Sequence, residues 1–115
     1  MKYYFRVDSN LNIGVGHYER CFVLGKELSS KNKVYFICSS ITKNQKKKLK
    51  LANIELIKIK NYLNIFDDAK KTSTYLKEKD ILIVDGYKFS NKWISILKKK
   101  KINIFLKNDL EKKFI

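Results

Sequence analysis

Asp80 to Val84 reads D-I-L-I-V, a continuous aliphatic run after one acidic residue. Such a run suits a strand covered on both faces, which is the environment of a parallel sheet rather than a half-solvated antiparallel one. Four further short apolar runs accompany it: Met1 to Val7, Lys33 to Cys38 (K-V-Y-F-I-C), Ile54 to Ile59 and Ile102 to Leu106. Between them the apolar period changes to a helical one. Cys21, Leu24 and Leu28 form a first stripe. Asn44 to Ala52 follows a cap at Thr42 or a neighbouring serine, and Phe66, Ala69, Thr72 or Ser73, and Leu76 form a third stripe with Asp67 and Asp68 in its first turn. Ser90 can cap a last helix carrying Trp93, Ile96 and Leu97. Strand and helix alternate throughout, without proline or a visible linker. The expectation is therefore a single α/β domain over residues 1–115, a Rossmann-like parallel sheet of about five strands with helices on both faces. If the strand order is the usual 3-2-1-4-5, ligands bind where strands one and four end side by side.

A formal charge of +15 brings nucleic acid and anionic membranes into consideration. The lysines, however, are spread over every expected helix instead of shaping one face. The densest runs, Lys46 to Lys48 and Lys98 to Lys101, fall where a helix faces water. Nucleic acid is thus not the expected partner. Cys21 and Cys38 lack metal-ligand spacing and read as small core residues, so no metal is expected. Met1 leads directly into strand-like sequence, and no apolar run approaches the length of a membrane span. A cytoplasmic protein with reduced thiols and no membrane partner is expected. Glu19 stands where the third glycine of a G-x-G-x-x-G motif belongs, and no P-loop lysine motif occurs, so no dinucleotide or other cofactor is expected.

The chemistry concentrates in Arg6 to Arg20, R-V-D-S-N-L-N-I-G-V-G-H-Y-E-R, which contains the only histidine. It connects the first strand to the first helix. Gly14 and Gly16 allow a sharp bend and close approach of a ligand, and the N–H groups of the following helix suit a phosphate or a sugar. His17 lies in the first helical turn, in register with Cys21, Leu24 and Leu28, and so points toward the strand ends. There it can serve as a base near neutral pH, or merely cap the helix and fill a gap beneath the loop. With strands one and four adjacent, Asp85-Gly86-Tyr87 lies beside this turn. Asp85 can orient a sugar hydroxyl or the imidazole, or simply form the loop. Tyr87 can touch a ligand or cover the core. Arg6 and Asp8 share one side of the first strand and are read as a structural pair.

The pattern Arg6, Asp8, Ser9, Ile13, Gly14, Gly16, His17, Arg20 and Cys21 resembles the start of the UDP-2,4-diacetamido-2,4,6-trideoxy-β-L-altropyranose hydrolases of pseudaminic acid biosynthesis, relatives of the GT-B glycosyltransferases. The similarity continues through V-Y-F-I-C at Val34 to Cys38 and I-V-D-x-Y at Ile83 to Tyr87, with Trp93 beyond. Gly86 stands where that family commonly has histidine, and Asn108-Asp109 where it commonly has two aspartates. The resemblance implies the N-terminal half of a GT-B fold, lacking the C-terminal domain that holds most of the uridine nucleotide. It also implies a hydrolase acting on a UDP-linked amino sugar, with His17 as catalytic base; the reading of the residues themselves adds Gly14, Gly16, Asp85 and Tyr87 around the substrate. Water attack at the anomeric carbon would release UDP and the free amino sugar without a metal. The alternative is a noncatalytic or split-enzyme module that binds anionic sugar nucleotides and needs a C-terminal partner chain.

Overall fold

The computed structural model describes residues 2–9, 16–62, 64–85, 89 and 91–106. They form β1 (Lys2–Arg6), α1 (Gly16–Ser29), β2 (Lys33–Cys38), α2 (Lys43–Leu51), β3 (Ile54–Lys58), α3 (Ile65–Ser73), β4 (Ile81–Val84), α4 (Asn91–Leu97) and β5 (Asn103–Leu106). The strands make one parallel sheet in the order β3-β2-β1-β4-β5. This is the Rossmann-like α/β arrangement expected from the alternating pattern. Its strand order reverses direction between β1 and β4.

The period of two in β1 divides the core. Phe5 and Val7 join Phe36, Cys38 and Ile83 under α1 and α2, where Tyr18, Cys21 and Leu49 close one cluster. Tyr4 joins Ile37, Leu82 and Val84 on the opposite face, against Ala69 of α3 and Trp93 and Leu97 of α4. Registered neighbours stack as well as pair. Tyr4 lies opposite Tyr35 and Phe5 opposite Phe36, with ring centroids 4.6 Å and 4.9 Å apart. Aromatic pairs at this separation contribute about 0.5–1.5 kcal/mol beyond their area burial.

Local signals explain the helix ends. Thr42 caps α2 in a reciprocal box, its hydroxyl accepting from the Gln45 N–H while the Gln45 side chain accepts from the Thr42 N–H. Asn53, just past α2, takes a left-handed φ of 58°, which asparagine tolerates better than most residues. At Gly25 a β-carbon would sit 3.0 Å from the Phe36 ring, so α1 packs closely on β2. In α3 the buried residues are Asp68, Ala69 and Thr72, whereas Phe66, counted in the expected stripe, is 52% exposed. The helix is turned to carry Asp68 inward, where it meets Arg6. The lysines of 46–48 are exposed on α2, as expected of a solvated helix face, whereas those of 98–101 are exposed but follow the end of α4 instead of lying on a helix. Ser90, the expected cap of α4, lies outside the described residues.

Candidate active site

Because Arg6 pairs in register with Val84, the chain leaves β1 and β4 side by side at the carboxyl end of the sheet. Asp85 directly follows β4, and α1 begins at Gly16. These two points bring together residues 68 positions apart: His17 Nδ1 lies 2.8 Å from Asp85 Oδ1. A carboxylate only accepts, so satisfying this contact requires a proton on Nδ1, the tautomer that leaves the lone pair of a neutral ring on Nε2. The imidazole side chain is 25% exposed while the Asp85 side chain is 6% exposed. Of the roles open to Asp85, orienting the imidazole is the one its geometry displays. Cys21, one helical turn beyond His17 and buried, donates its S–H to Asp85 Oδ2 at 3.8 Å and helps fix the carboxylate.

Arg20 also reaches this centre, with one terminal guanidinium nitrogen, Nη2, 3.1 Å from His17 Nδ1. The sequence pattern includes Arg20 without assigning it a role. An exposed arginine on a helix of a basic chain carries no signal of its own. Gly16 is the first residue of α1, and a β-carbon there would lie 3.4 Å from Arg20 Nη1, so the guanidinium folds back over the helix start. Gly14, Gly86, Tyr87, Asn108 and Asp109 lie outside the described residues.

On the α3 side of the same sheet end, Arg6 is fully buried. Its Nε and Nη2 donate to the two oxygens of Asp68 at 3.1 and 2.6 Å. Its Nη1 donates to Asp8 Oδ1 at 2.7 Å and to the Ile37 carbonyl at 3.3 Å. Asp8 also accepts from the N–H and hydroxyl of Ser39 and from the N–H of Ser40. Trp93 Nε1 donates to Asp68 at 3.0 Å. Burial pulls the Arg6 pKa down, but the bonds to Asp68 and the charge of Asp8 outweigh it and hold the guanidinium above its ordinary range. The structural pairing of Arg6 with Asp8 is thus present, and Asp68 is the partner that sequence reasoning missed. A cleft of ≈ 200 Å³ opens beside this network, lined by Asn61, Tyr62, Asn64, Asp68, Phe89 and Trp93 among others.

Two buried tyrosines are held protonated. Desolvation, followed by the charge of Asp80, pushes the Tyr4 phenol up to about 12. Burial raises Tyr18 further still. Among the described residues no group of three histidine, cysteine or acidic side chains is placed to hold a metal ion, and no helix is long and apolar enough to cross a membrane. Comparison with protein-family models, with curated proteins and with solved structures finds no match to this chain.

Proposed function

We propose that this chain is the base-bearing domain of a nucleotide-sugar hydrolase. The observation that carries the reading is the 2.8 Å contact between His17 and Asp85 at the carboxyl ends of β1 and β4, the crevice where open parallel sheets take their ligands. A carboxylate on Nδ1 fixes the tautomer and orientation of an imidazole whose Nε2 can then accept a proton, the same logic that operates in hydrolytic triads. The resemblance of Arg6 to Cys21 to the UDP-sugar hydrolases of pseudaminic acid biosynthesis supplies the substrate class.

In the proposed step His17 Nε2 takes a proton from water as the water oxygen bonds to the anomeric carbon. The carbon–oxygen bond to the β-phosphate breaks with its electron pair on the phosphate oxygen. UDP and 2,4-diacetamido-2,4,6-trideoxy-L-altrose leave. Asp85 compensates the imidazolium formed and acts as a positioning residue. The uridine would be held largely by a second domain, as in the resembling family.

The test is UDP release from the sugar nucleotide, measured with this chain alone and with a C-terminal domain supplied in trans. His17→Asn should lower the rate by about 10²- to 10⁴-fold, the usual worth of a general base, with the fold retained by circular dichroism. Activity that survives the substitution would remove His17 from the mechanism. Silence in both arms, with UDP still bound, would instead favour the noncatalytic sugar-nucleotide module.

A further inference from the structure

His17 Nδ1 faces two partners that cannot both be satisfied. Asp85 Oδ1 stands 2.8 Å away and Arg20 Nη2 3.1 Å away. A carboxylate accepts and a guanidinium donates, whereas a ring nitrogen has one in-plane position, filled by either a proton or a lone pair. Asp85 therefore selects the tautomer with the proton on Nδ1 and the lone pair on Nε2. Arg20 selects the reverse, which puts the lone pair on Nδ1 and takes it from Nε2. The two partners also differ in freedom. The Asp85 side chain is 6% exposed and anchored by Cys21, while Arg20 is exposed on α1. Among the described residues no carboxylate lies within ion-pair distance of Arg20.

We propose that Arg20 is the diphosphate-binding residue of this site and the device that makes His17 competent. A diphosphate draws the guanidinium off the imidazole through charge-assisted bonds, and His17 passes wholly to Asp85 with its lone pair on Nε2. The base is then armed only when a phosphate-bearing ligand is present. This inference rests on the reading of His17 as the base, and it adds the group that couples that base to its substrate class.

The sequence holds a single histidine, so ring ¹⁵N shifts report this site alone in spite of the many lysines elsewhere. The measurement is made at pH about 8.5, above the ordinary imidazole range, on the full chain with pyrophosphate, UDP or orthophosphate. In the native sequence pyrophosphate and UDP should move the ring toward the Nδ1–H tautomer. Arg20→Gln should show that tautomer without any anion, should not respond further, and should bind pyrophosphate roughly tenfold or more weakly, as expected for loss of a charge-assisted bond. A native ring indifferent to pyrophosphate, or an Arg20→Gln ring that still responds as the native one does, would overturn the proposal. An equal response to orthophosphate would overturn its assignment to a diphosphate. UDP release separates the two readings: release unaffected by Arg20→Gln removes the role of Arg20 and leaves the hydrolase. An Arg20-dependent tautomer change without any UDP release leaves the anion site and removes the hydrolase.

Discussion

Asp68→Asn tests the buried charge network with almost no change in shape. In the native protein Asp68 Oδ1 accepts from Arg6 Nε and Trp93 Nε1, and Oδ2 accepts from Arg6 Nη2 at 2.6 Å. An asparagine can keep its carbonyl at the Oδ1 position and preserve the first two bonds. Its amide nitrogen then stands against Nη2, donor against donor, and the shortest bond of the set becomes a repulsive contact. Arg6 is fully buried, so water cannot replace what is lost. Breaking a buried ion pair typically costs about 3–5 kcal/mol. Asp8 still compensates the guanidinium at 2.7 Å, which places the expected loss near the lower end, about 3 kcal/mol. A domain of 115 residues has a total stability of about 6–17 kcal/mol, so a substantial fraction disappears. With a urea m-value of about 1.5 kcal/mol per molar, the unfolding midpoint falls by about 2 M. Trp93, the only tryptophan and fully buried, supplies the fluorescence signal. Arg6→Met, which strands two buried carboxylates, should cost more than Asp68→Asn. A midpoint shift below about 0.5 M for Asp68→Asn at unchanged m would refute the reasoning, because the charge would then be held without Asp68.

Alkaline titration should show two late phenols. Tyr4, raised to about 12, and Tyr18, raised beyond it, favour the protonated form in the folded state. Their contribution is therefore complete below the unfolded tyrosine value of about 10 and is lost as pH rises through the folded values. Stability measured by urea unfolding should fall as the pH is raised above about 10, and Tyr4→Phe should flatten that slope; an unchanged slope would contradict the assignment. Thr42→Ala removes the hydroxyl that accepts from the Gln45 N–H and should cost about 1 kcal/mol, read as a lower urea midpoint, with Thr42→Ser recovering most of it.

The layered fold was legible because β-strands buried on both faces have little compositional freedom. Ile81 to Val84 is aliphatic at every position and lies in a sheet packed by helices on each side. The α2 cap was legible to within a few residues, as Thr42 or a neighbouring serine; the Gln45 side chain three residues on is what singles out Thr42. The site was legible only in part. His17 could be placed at a helix start from the glycines and the apolar register around it, but its pairing with Asp85 required the strand order that puts β1 beside β4. Asp68 could not be identified from pattern. It looks like a first-turn acid that favours the helix dipole, and nothing local distinguishes it from the exposed Asp67 beside it; its partner is 62 residues away. The error over Phe66 has the same origin. A helix turned to present a carboxylate to a buried arginine exposes an apolar residue that a purely hydrophobic stripe would have covered.

The two charged networks at the carboxyl end of the sheet differ in a way that bears on which of them can do chemistry. Around Arg6 every guanidinium nitrogen donates, to Asp68, Asp8 or the Ile37 carbonyl, and Ser39, Ser40, Trp93 and Thr72 bond the two carboxylates further. Moving a proton or a side chain there would leave a buried group unpaired, at a cost of several kcal/mol. That network ties the ends of β1, β2 and α3 together and resists rearrangement. Around His17 one nitrogen faces both an acceptor and a donor, in a side chain that is a quarter exposed. Two arrangements of nearly the same atoms are available, and a ligand that prefers one of them shifts the balance only by its differential affinity. The rigid network holds β1; the contested one sits at the start of α1 and, under the role proposed for Arg20, is the one that an anion would bias.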